Sequence, residues 1–156
     1  MITYNRETIS TFIEDAMPLL RRYWGEADER RESTEMSLDL GAYTVLEEKD
    51  MLRIYTASED GDLVGFTIFV VSPCVHTGCL KASSEISYIE KQYRGASLID
   101  LLFLYAELEL AKEEVSVMVF TLKTEFPHEN LVERAGFKHV ENIYLKEILL
   151  SDPSLK

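Results

Sequence analysis

The stretch from Ile86 to Leu102 carries the clearest sign of binding chemistry in the 156-residue chain. A strand-like run leads there into Gly95, and an apolar helical pattern follows directly. The N-terminus of a helix presents unpaired N–H groups and the positive end of the helix dipole, which together bind anions. We therefore predict a pyrophosphate-sized anion site, in which Gly95 allows close backbone approach and a φ that other residues disfavour. Its amides would belong to Ala96, Ser97, Leu98 and Ile99. The alternative is an ordinary turn before a helix.

Histidine and cysteine side chains offer further candidates. His128 precedes a predicted helix, and the near-neutral pKa of histidine suits an acid or a base; the alternative is a loop or capping residue. Cys74 and Cys79 are the two cysteines of the chain, and in a reducing cytosol we expect free thiols. With His76 they give at most three metal ligands and no fourth in zinc-like spacing, so no metal site is expected.

Composition restricts the class of protein. The chain has the length of one domain, here 1–156, and its 46% apolar and 28% charged residues are typical of a globular protein. It lacks an apolar run of the roughly 20 residues that cross a bilayer, and its start lacks the features of a signal peptide. We therefore expect a cytoplasmic protein without a membrane partner. The net charge of −12 disfavours nucleic acid; it indicates either solubility or a cationic acceptor.

The elements that position these residues follow from hydrophobic periodicity. Three- and four-residue spacing predicts helices over 7–23, 24–31, 40–48, 98–113 and 129–135. Runs typical of strands cover 51–55, 63–71, 82–90, 115–120 and 140–149, the last of them as one strand or two shorter ones. Asp60–Gly61 between the first two strands indicates a hairpin. This order predicts an α+β fold with a mixed, mostly antiparallel sheet flanked by helices.

Two details of the helices can be tested directly. For the long helix behind Gly95, we predict a buried face formed by Leu98, Leu101, Leu102, Tyr105, Leu108 and Ala111. The late helix should end at Gly136, which suits the position after a helix C-terminus.

Three segments resemble one known family, in its order and at its spacing. Tyr88–Gly95 (YIEKQYRG) before an apolar helix resembles the cofactor segment of the Gcn5-related N-acetyltransferase (GNAT) superfamily. Asp62–Phe66 (DLVGF) resembles its second hairpin strand, and Leu131–Phe137 (LVERAGF) resembles its late helix ending in Gly-Phe. The resemblance covers roughly 51–149. More loosely, the chain is similar to small GNAT proteins encoded by tailed phages.

The resemblance implies a GNAT-like sheet and an N-acetyltransferase that uses acetyl-CoA as cosubstrate and an amine as acceptor. It implies a set of cofactor-binding residues: Tyr88, Ile89, Arg94, Gly95, Ala96, Ser97, Leu98 and Ile99. The oligomeric state stays open, with a homodimer as one option.

The resemblance also suggests catalytic residues. Glu85 resembles the acidic position on the fourth strand, where a carboxylate acts as a base directly or through water; the alternative is a solvated strand residue. His128 is a second candidate for base or acid. Tyr144, on the predicted last strand, could protonate the leaving thiolate, and the alternative for it is core packing.

The chain departs from the family pattern at three positions. Ser97 and Ile99 stand where the family loop has glycines, although a register starting at Gln92 retains Gly95. Backbone amides can hold a pyrophosphate in either register. Val132 replaces the frequent tyrosine acid. Two other hypotheses therefore stay open: a catalytically degenerate GNAT-fold binding or regulatory protein, and a partner-binding α+β domain without a cofactor.

Overall fold

A computed structural model of the chain describes residues 1–28, 34–95, 97–124, 129–146 and 148. The strands are β1 (Ile2–Glu7), β2 (Leu52–Glu59), β3 (Asp62–Pro73), β4 (Leu80–Ile89) and β5 (Val115–Val119). The helices are α1 (Ile9–Ala27), α2 (Leu40–Glu48), α3 (Leu98–Lys112) and α4 (Glu129–Arg134), with a 3₁₀ turn at Lys91–Tyr93. The sheet order is β1-β2-β3-β4-β5, antiparallel except for the parallel β4–β5 pair. The predicted α+β class is confirmed.

Helices cover both faces of the sheet, so the central strands are buried on both sides. Neighbouring residues of a strand point to opposite faces, and Ile54 accordingly belongs to the core under α1 while Tyr55 belongs to the core under α3. In the first core Phe12 packs edge-on against Phe66, with ring centroids 5.1 Å apart. This two-sided burial explains why β3 is an almost continuous apolar run rather than an alternating one.

Several predicted elements are confirmed at their predicted positions. The hairpin turns at Asp60 and Gly61, both with positive φ, and α2 covers 40–48 as predicted. Gly136, with φ 89°, follows the end of α4. No helix in the described part of the chain is long and apolar enough to cross a membrane.

The first helices differ from the prediction. The two predicted helices, 7–23 and 24–31, are one helix through Ala27, with Pro18 inside it; residues 29–31 lie outside the described part. Thr8 caps this helix through a reciprocal hydrogen-bond pair with Thr11. β1 was not predicted from the sequence, because its six residues alternate only weakly between apolar and polar.

The buried face of α3 also differs from the predicted one. Leu101 and Leu108 are 46% and 55% exposed, whereas Phe103 and Ala106 are buried. The helix is apolar on most of its circumference, so periodicity alone cannot select a face. Packing against the sheet selects the row at four-residue spacing: Leu98, Leu102, Ala106 and Leu110.

The predicted strand at 140–149 is not formed in its described residues, 140–146 and 148. Ile143 and Tyr144 are 70% and 89% exposed. A strand requires a neighbour to satisfy its backbone hydrogen bonds, and an apolar run in the sequence carries no information about that neighbour. Among the described residues, β5 is therefore the last strand of the sheet on this side.

Gly65 lies where β3, the end of β4 and the start of α3 meet. It is opposite Ile89 in the β3–β4 ladder. A Cβ at Gly65 would overlap Ile89 Cδ1 and lie 3.5 Å from Leu98 Cδ2.

We expect Gly65→Val to lower the free energy of unfolding by about 1–3 kcal/mol, as overpacking does. Denaturant unfolding would measure this. Gly25→Val is the control, because a Cβ there meets no described atom within 4 Å; equal losses in both variants would contradict the packing argument.

Candidate functional site

A cleft opens where β4 and β5 diverge. The two strands pair only between Leu80 and Ser83 of β4, although β4 continues to Ile89. At the start of the gap, the Thr121 N–H donates a hydrogen bond of 2.9 Å to Ser84 Oγ. Beyond Ser83, the β4 edge facing β5 has no strand partner within the described residues. Apart from the Ile89 carbonyl, which accepts from Arg94 Nε, its outward backbone N–H and C=O groups are therefore available to an extended ligand.

Glu85 is the extra residue of a β-bulge in β4 at this cleft. Ile86 lies opposite Ile68 and Ser84 lies opposite Phe69. Glu85, between them, therefore has no residue opposite it on β3. Bulges re-aim a side chain and are frequent beside active sites. Glu85 lines the cleft at its exposed mouth, and partial loss of hydration raises the pKa of its carboxyl group. A raised pKa makes this carboxylate a better base near neutral pH.

The cleft contains a pocket of about 250 Å³. Its lining comes from α1, β4, α3, α4 and the segment after β5. The polar lining includes Glu26, Ser84, Glu85, Ser87 and Arg94. The apolar lining includes Ile99, Phe103, Phe120, Leu131 and Val132. Such a mostly apolar pocket with a few polar groups is typical of a small-molecule site.

Arg94 is held by protein groups at the edge of the pocket. Its Nη2 donates to Glu26 Oε2 at 2.7 Å and its Nε donates to the Ile89 carbonyl at 2.8 Å. The guanidinium lies 5.1 Å from the centroid of the Tyr88 ring, and the Tyr88 hydroxyl donates to Glu26 at 3.1 Å. Burial acts to raise the pKa of Glu26, but the hydrogen bonds of Arg94 and Tyr88 and the charges of Arg94 and Lys91 together outweigh it, and the pKa is lowered. Arg94 therefore joins α1 to the end of β4.

We expect Arg94→Ala to lower the free energy of unfolding by about 1–2 kcal/mol at pH 7, because it removes partly exposed, charge-assisted hydrogen bonds. Lys91→Ala is the control: Lys91 is 73% exposed and 3.6 Å from Glu26, so its loss should cost under about 0.5 kcal/mol.

The pH dependence of this loss has a defined sign. Because the pKa of Glu26 is lowered in the folded protein, its pairing stabilises the fold above the unfolded pKa and is lost as the pH falls through the folded one. Melting curves at several pH values should show the variant and the wild type converging in acid. A difference in stability between the variant and the wild type that stays constant, or grows, below about pH 4 would contradict this account.

The predicted anion site lies at the N-terminus of α3. Ser97 is the N-cap, and no side chain in the described part caps the helix there, so its first N–H groups stay available. A Cβ at Gly95 would meet no atom within 4 Å in the part of the chain that the structure describes. The predicted need for a glycine-only φ at Gly95 is wrong, because the positive-φ glycines are Gly61, Gly78 and Gly136. Open space is what Gly95 contributes.

The structure brings part of the predicted residue set together. The predicted residues that line this pocket are Glu85, Tyr88, Ile89, Arg94 and Ile99. The Leu98 side chain is 4% exposed and belongs to the core under α3, so only its backbone can serve a ligand. Tyr144 lies outside the pocket lining. His128 and Ala96 lie outside the described residues.

A tyrosine and a carboxylate that α1 brings to the cleft were not predicted from the sequence. Tyr23 and Glu26, three residues apart in α1, both line the pocket. On α2, burial raises the pKa of Tyr43, and the charge of Glu85 adds to this effect, which places Tyr43 within the field of Glu85. Helical spacing in the sequence shows that Tyr23 and Glu26 share a side of α1, but not which end of the sheet they reach. Within the described residues, no group of three or more His, Cys, Asp or Glu could hold a metal ion.

Comparison with solved structures identifies the fold. A ribosomal-protein-alanine N-acetyltransferase from Brucella melitensis biovar Abortus 2308 superposes with a TM-score of 0.72 at 20% identity, covering 95% of this chain and 99% of that one. AAC(6')-Iy, in complex with the bisubstrate analog CoA-S-monomethyl-acetylneamine, gives 0.71 at 16% identity, with coverages of 96% and 99%. A transcriptional regulator from Bacillus halodurans C-125 gives 0.75 at 15% identity, with coverages of 95% and 100%.

These likenesses show that the chain has the fold of GNAT acetyltransferases. The predicted GNAT-like architecture is therefore confirmed at the level of the fold. Neither a family model nor a curated protein matches the sequence.

Proposed function

We propose that the chain is an acetyl-CoA-dependent N-acetyltransferase that acetylates a primary amine. The observation that carries this proposal is the cleft between β4 and β5, which runs beside Glu85 and ends near the uncapped N-terminus of α3. The fold it shares with acetyltransferases supports the same activity. A long, narrow cosubstrate with a phosphate group at one end and a thioester at the other suits such a cleft.

The residues of the cleft fit the parts of acetyl-CoA. The first amides of α3 and the open space at Gly95 suit the pyrophosphate. The edge of β4 beyond Ser83, which no described strand pairs with, suits the amides of the pantetheine arm, since it offers backbone donors and acceptors. Phe103 and Phe120, whose ring centroids are 4.8 Å apart, provide an apolar wall for the methylene groups. Glu85 then stands where the acetyl group and the acceptor would meet.

The proposed chemistry is direct transfer. Glu85 accepts a proton from the acceptor ammonium, directly or through a water, and the free amine attacks the thioester carbonyl carbon. The nitrogen of the tetrahedral intermediate loses its extra proton to solvent, and the intermediate collapses to the amide with departure of the CoA thiolate. Val132, in the pocket wall, has no hydroxyl group. The residue at this position therefore cannot donate a proton to the leaving thiolate. A thiol has a pKa of about 8.5, so its thiolate can leave without a protein acid.

The charge of the protein and of its pocket favours one class of acceptor. A carboxylate base at the pocket and a net charge of −12 favour a cationic amine over an anionic one. A homodimer, a cytoplasmic location and the similarity to phage-encoded members stay predictions.

A thiol-release assay with a panel of primary amines tests the proposed activity. We expect release of CoA that depends on both acetyl-CoA and one class of cationic amine, with the acetylated amine identified by mass spectrometry. The missing tyrosine at Val132 favours the rival, a degenerate GNAT-fold binding protein. Acetyl-CoA binding without turnover on any amine would support that rival and contradict the enzyme.

A further inference from the structure

The two cysteines lie opposite each other at the tip of the β3–β4 hairpin. Pro73 pairs with Leu80 in the ladder, so Cys74 and Cys79 occupy the next opposing positions. The Cys74 N–H donates to the Cys79 carbonyl at 2.7 Å, and the Gly78 N–H donates to the Cys74 carbonyl at 2.7 Å. Gly78 has φ 71°, which closes the turn. The register therefore fixes the two cysteines as a cross-strand pair.

The side chains of this pair share one face and one hydrogen-bonding group. Directly opposed residues of an antiparallel pair have Cα atoms about 4.5–5.5 Å apart, within the range of about 4.4–6.8 Å that a disulfide needs, and their side chains lie on the same side of the sheet. The Thr77 hydroxyl lies 2.9 Å from Cys79 Sγ. Hydrogen bonds from the Thr77 side chain, and then from the backbone of His76 and Thr77, lower the pKa of Cys74. Both thiols are free and partly exposed.

We propose that Cys74 and Cys79 form a reversible dithiol–disulfide site that reacts with small-molecule disulfides. The Cys74 thiolate attacks one sulfur of the small disulfide, which forms a mixed disulfide and releases one thiol. Cys79, after losing its proton to solvent, attacks Cys74 Sγ, which forms the protein disulfide and releases the second thiol. The protein loses two electrons and two protons, and the small disulfide gains both. The site is at the opposite end of β4 from the cleft and is independent of the proposed acetyl transfer.

Glutathione buffers of increasing oxidised fraction test the site on the whole chain. Because the chain has two cysteines, the intact mass after alkylation reports the state of the pair. We expect the wild type to change from a doubly alkylated form to a monomer that takes no alkyl group and is lighter than the reduced chain by two hydrogen atoms. Cys79→Ser should instead accumulate one glutathione on Cys74, because no second thiol resolves it.

Three results would overturn the proposal. These are two cysteines that stay alkylatable in oxidised glutathione, a wild type that stops at glutathione adducts, or disulfides formed between chains.

The role of Thr77 is measured by the rate of the first attack in the Cys79→Ser background. Adding Thr77→Val should slow adduct formation by roughly two- to tenfold through loss of thiolate, and Thr77→Ser should restore it. An unchanged rate with Thr77→Val would contradict the geometry of the shared hydroxyl.

Discussion

Glu85→Gln is expected to lower the rate of acetyl transfer by about a hundredfold or more, while acetyl-CoA affinity and the fold are retained. Glutamine keeps the size and hydrogen-bonding shape of the side chain at the bulge, but cannot accept a proton from the acceptor ammonium. Steady-state thiol release with a responsive amine would measure the loss. Glu14→Gln is the matched control, because Glu14 is an exposed glutamate of α1 outside the pocket lining.

The pH dependence of the acetyl-transfer rate distinguishes loss of a general base from a general loss of activity. In the wild type the rate should fall in acid through a pKa above the usual value of about 4.3 for glutamate, because Glu85 must be ionised and its pKa is raised. In Glu85→Gln the deficit should shrink as pH rises, since more of the acceptor is already free amine. A deficit that is the same at all pH values would mean that Glu85 is not the base.

The same substitution should leave the protein at least as stable as the wild type at neutral pH. Because the folded protein raises the pKa of Glu85, ionising it disfavours the folded state once the pH exceeds the unfolded pKa. Glutamine carries no such cost. We therefore expect a melting temperature at pH 7 equal to or above that of the wild type, and no difference below about pH 4. A variant that is both slow and less stable at pH 7 would indicate a structural role.

Gly95→Val is expected to weaken CoA binding by about tenfold to a hundredfold, equivalent to the loss of one or two hydrogen bonds to a charged group. The Cβ at this position meets no atom of the described residues within 4 Å, so the valine occupies the space needed for close approach of a phosphate to the backbone. For the same reason the folded state should lose little stability. Calorimetric titration with CoA, alongside melting curves, would measure both quantities.

Ser97→Ala is the control for the phosphate site. Its side chain makes no capping hydrogen bond, and the proposed donors are backbone N–H groups. We therefore expect CoA affinity within about twofold of the wild type for this change, less than the contribution of one typical hydrogen bond. If Ser97→Ala weakens binding strongly and Gly95→Val does not, the phosphates are bound by side chains and not at the Gly95 turn.

The sequence predicted the elements whose signal is local. Asp60–Gly61 indicates a hairpin through turn chemistry alone, and the strand, glycine and helix at 86–102 indicate an exposed helix N-terminus; both are found in the structure. Glu85, which the segment resemblance suggested as a base, lines the pocket; its catalytic role stays a prediction. These successes share one cause, since each depends on residues close together in the chain.

The features that the sequence did not predict depend on long-range pairing. Glu26 reaches Arg94 across 68 positions of the chain, and no local pattern signals that contact. The bulge at Glu85 exists only relative to β3, because it is a mismatch between two strands. On α3, Leu101 and Leu102 are equally apolar, and the sheet alone decides that Leu102 is buried. The residues 140–146 show the converse: strand-like sequence forms no strand without a partner.

Calorimetric titration of the wild-type chain with acetyl-CoA tests the central claim most directly. The cleft between β4 and β5 predicts one binding site per chain, and binding that favours the folded state should raise the melting temperature, by an amount equivalent to about 2.7 kcal/mol at a hundredfold excess over Kd. The predicted result is saturable binding of one acetyl-CoA per chain with a matching rise in melting temperature. The absence of binding heat, together with an unchanged melting temperature at millimolar acetyl-CoA, would contradict the account.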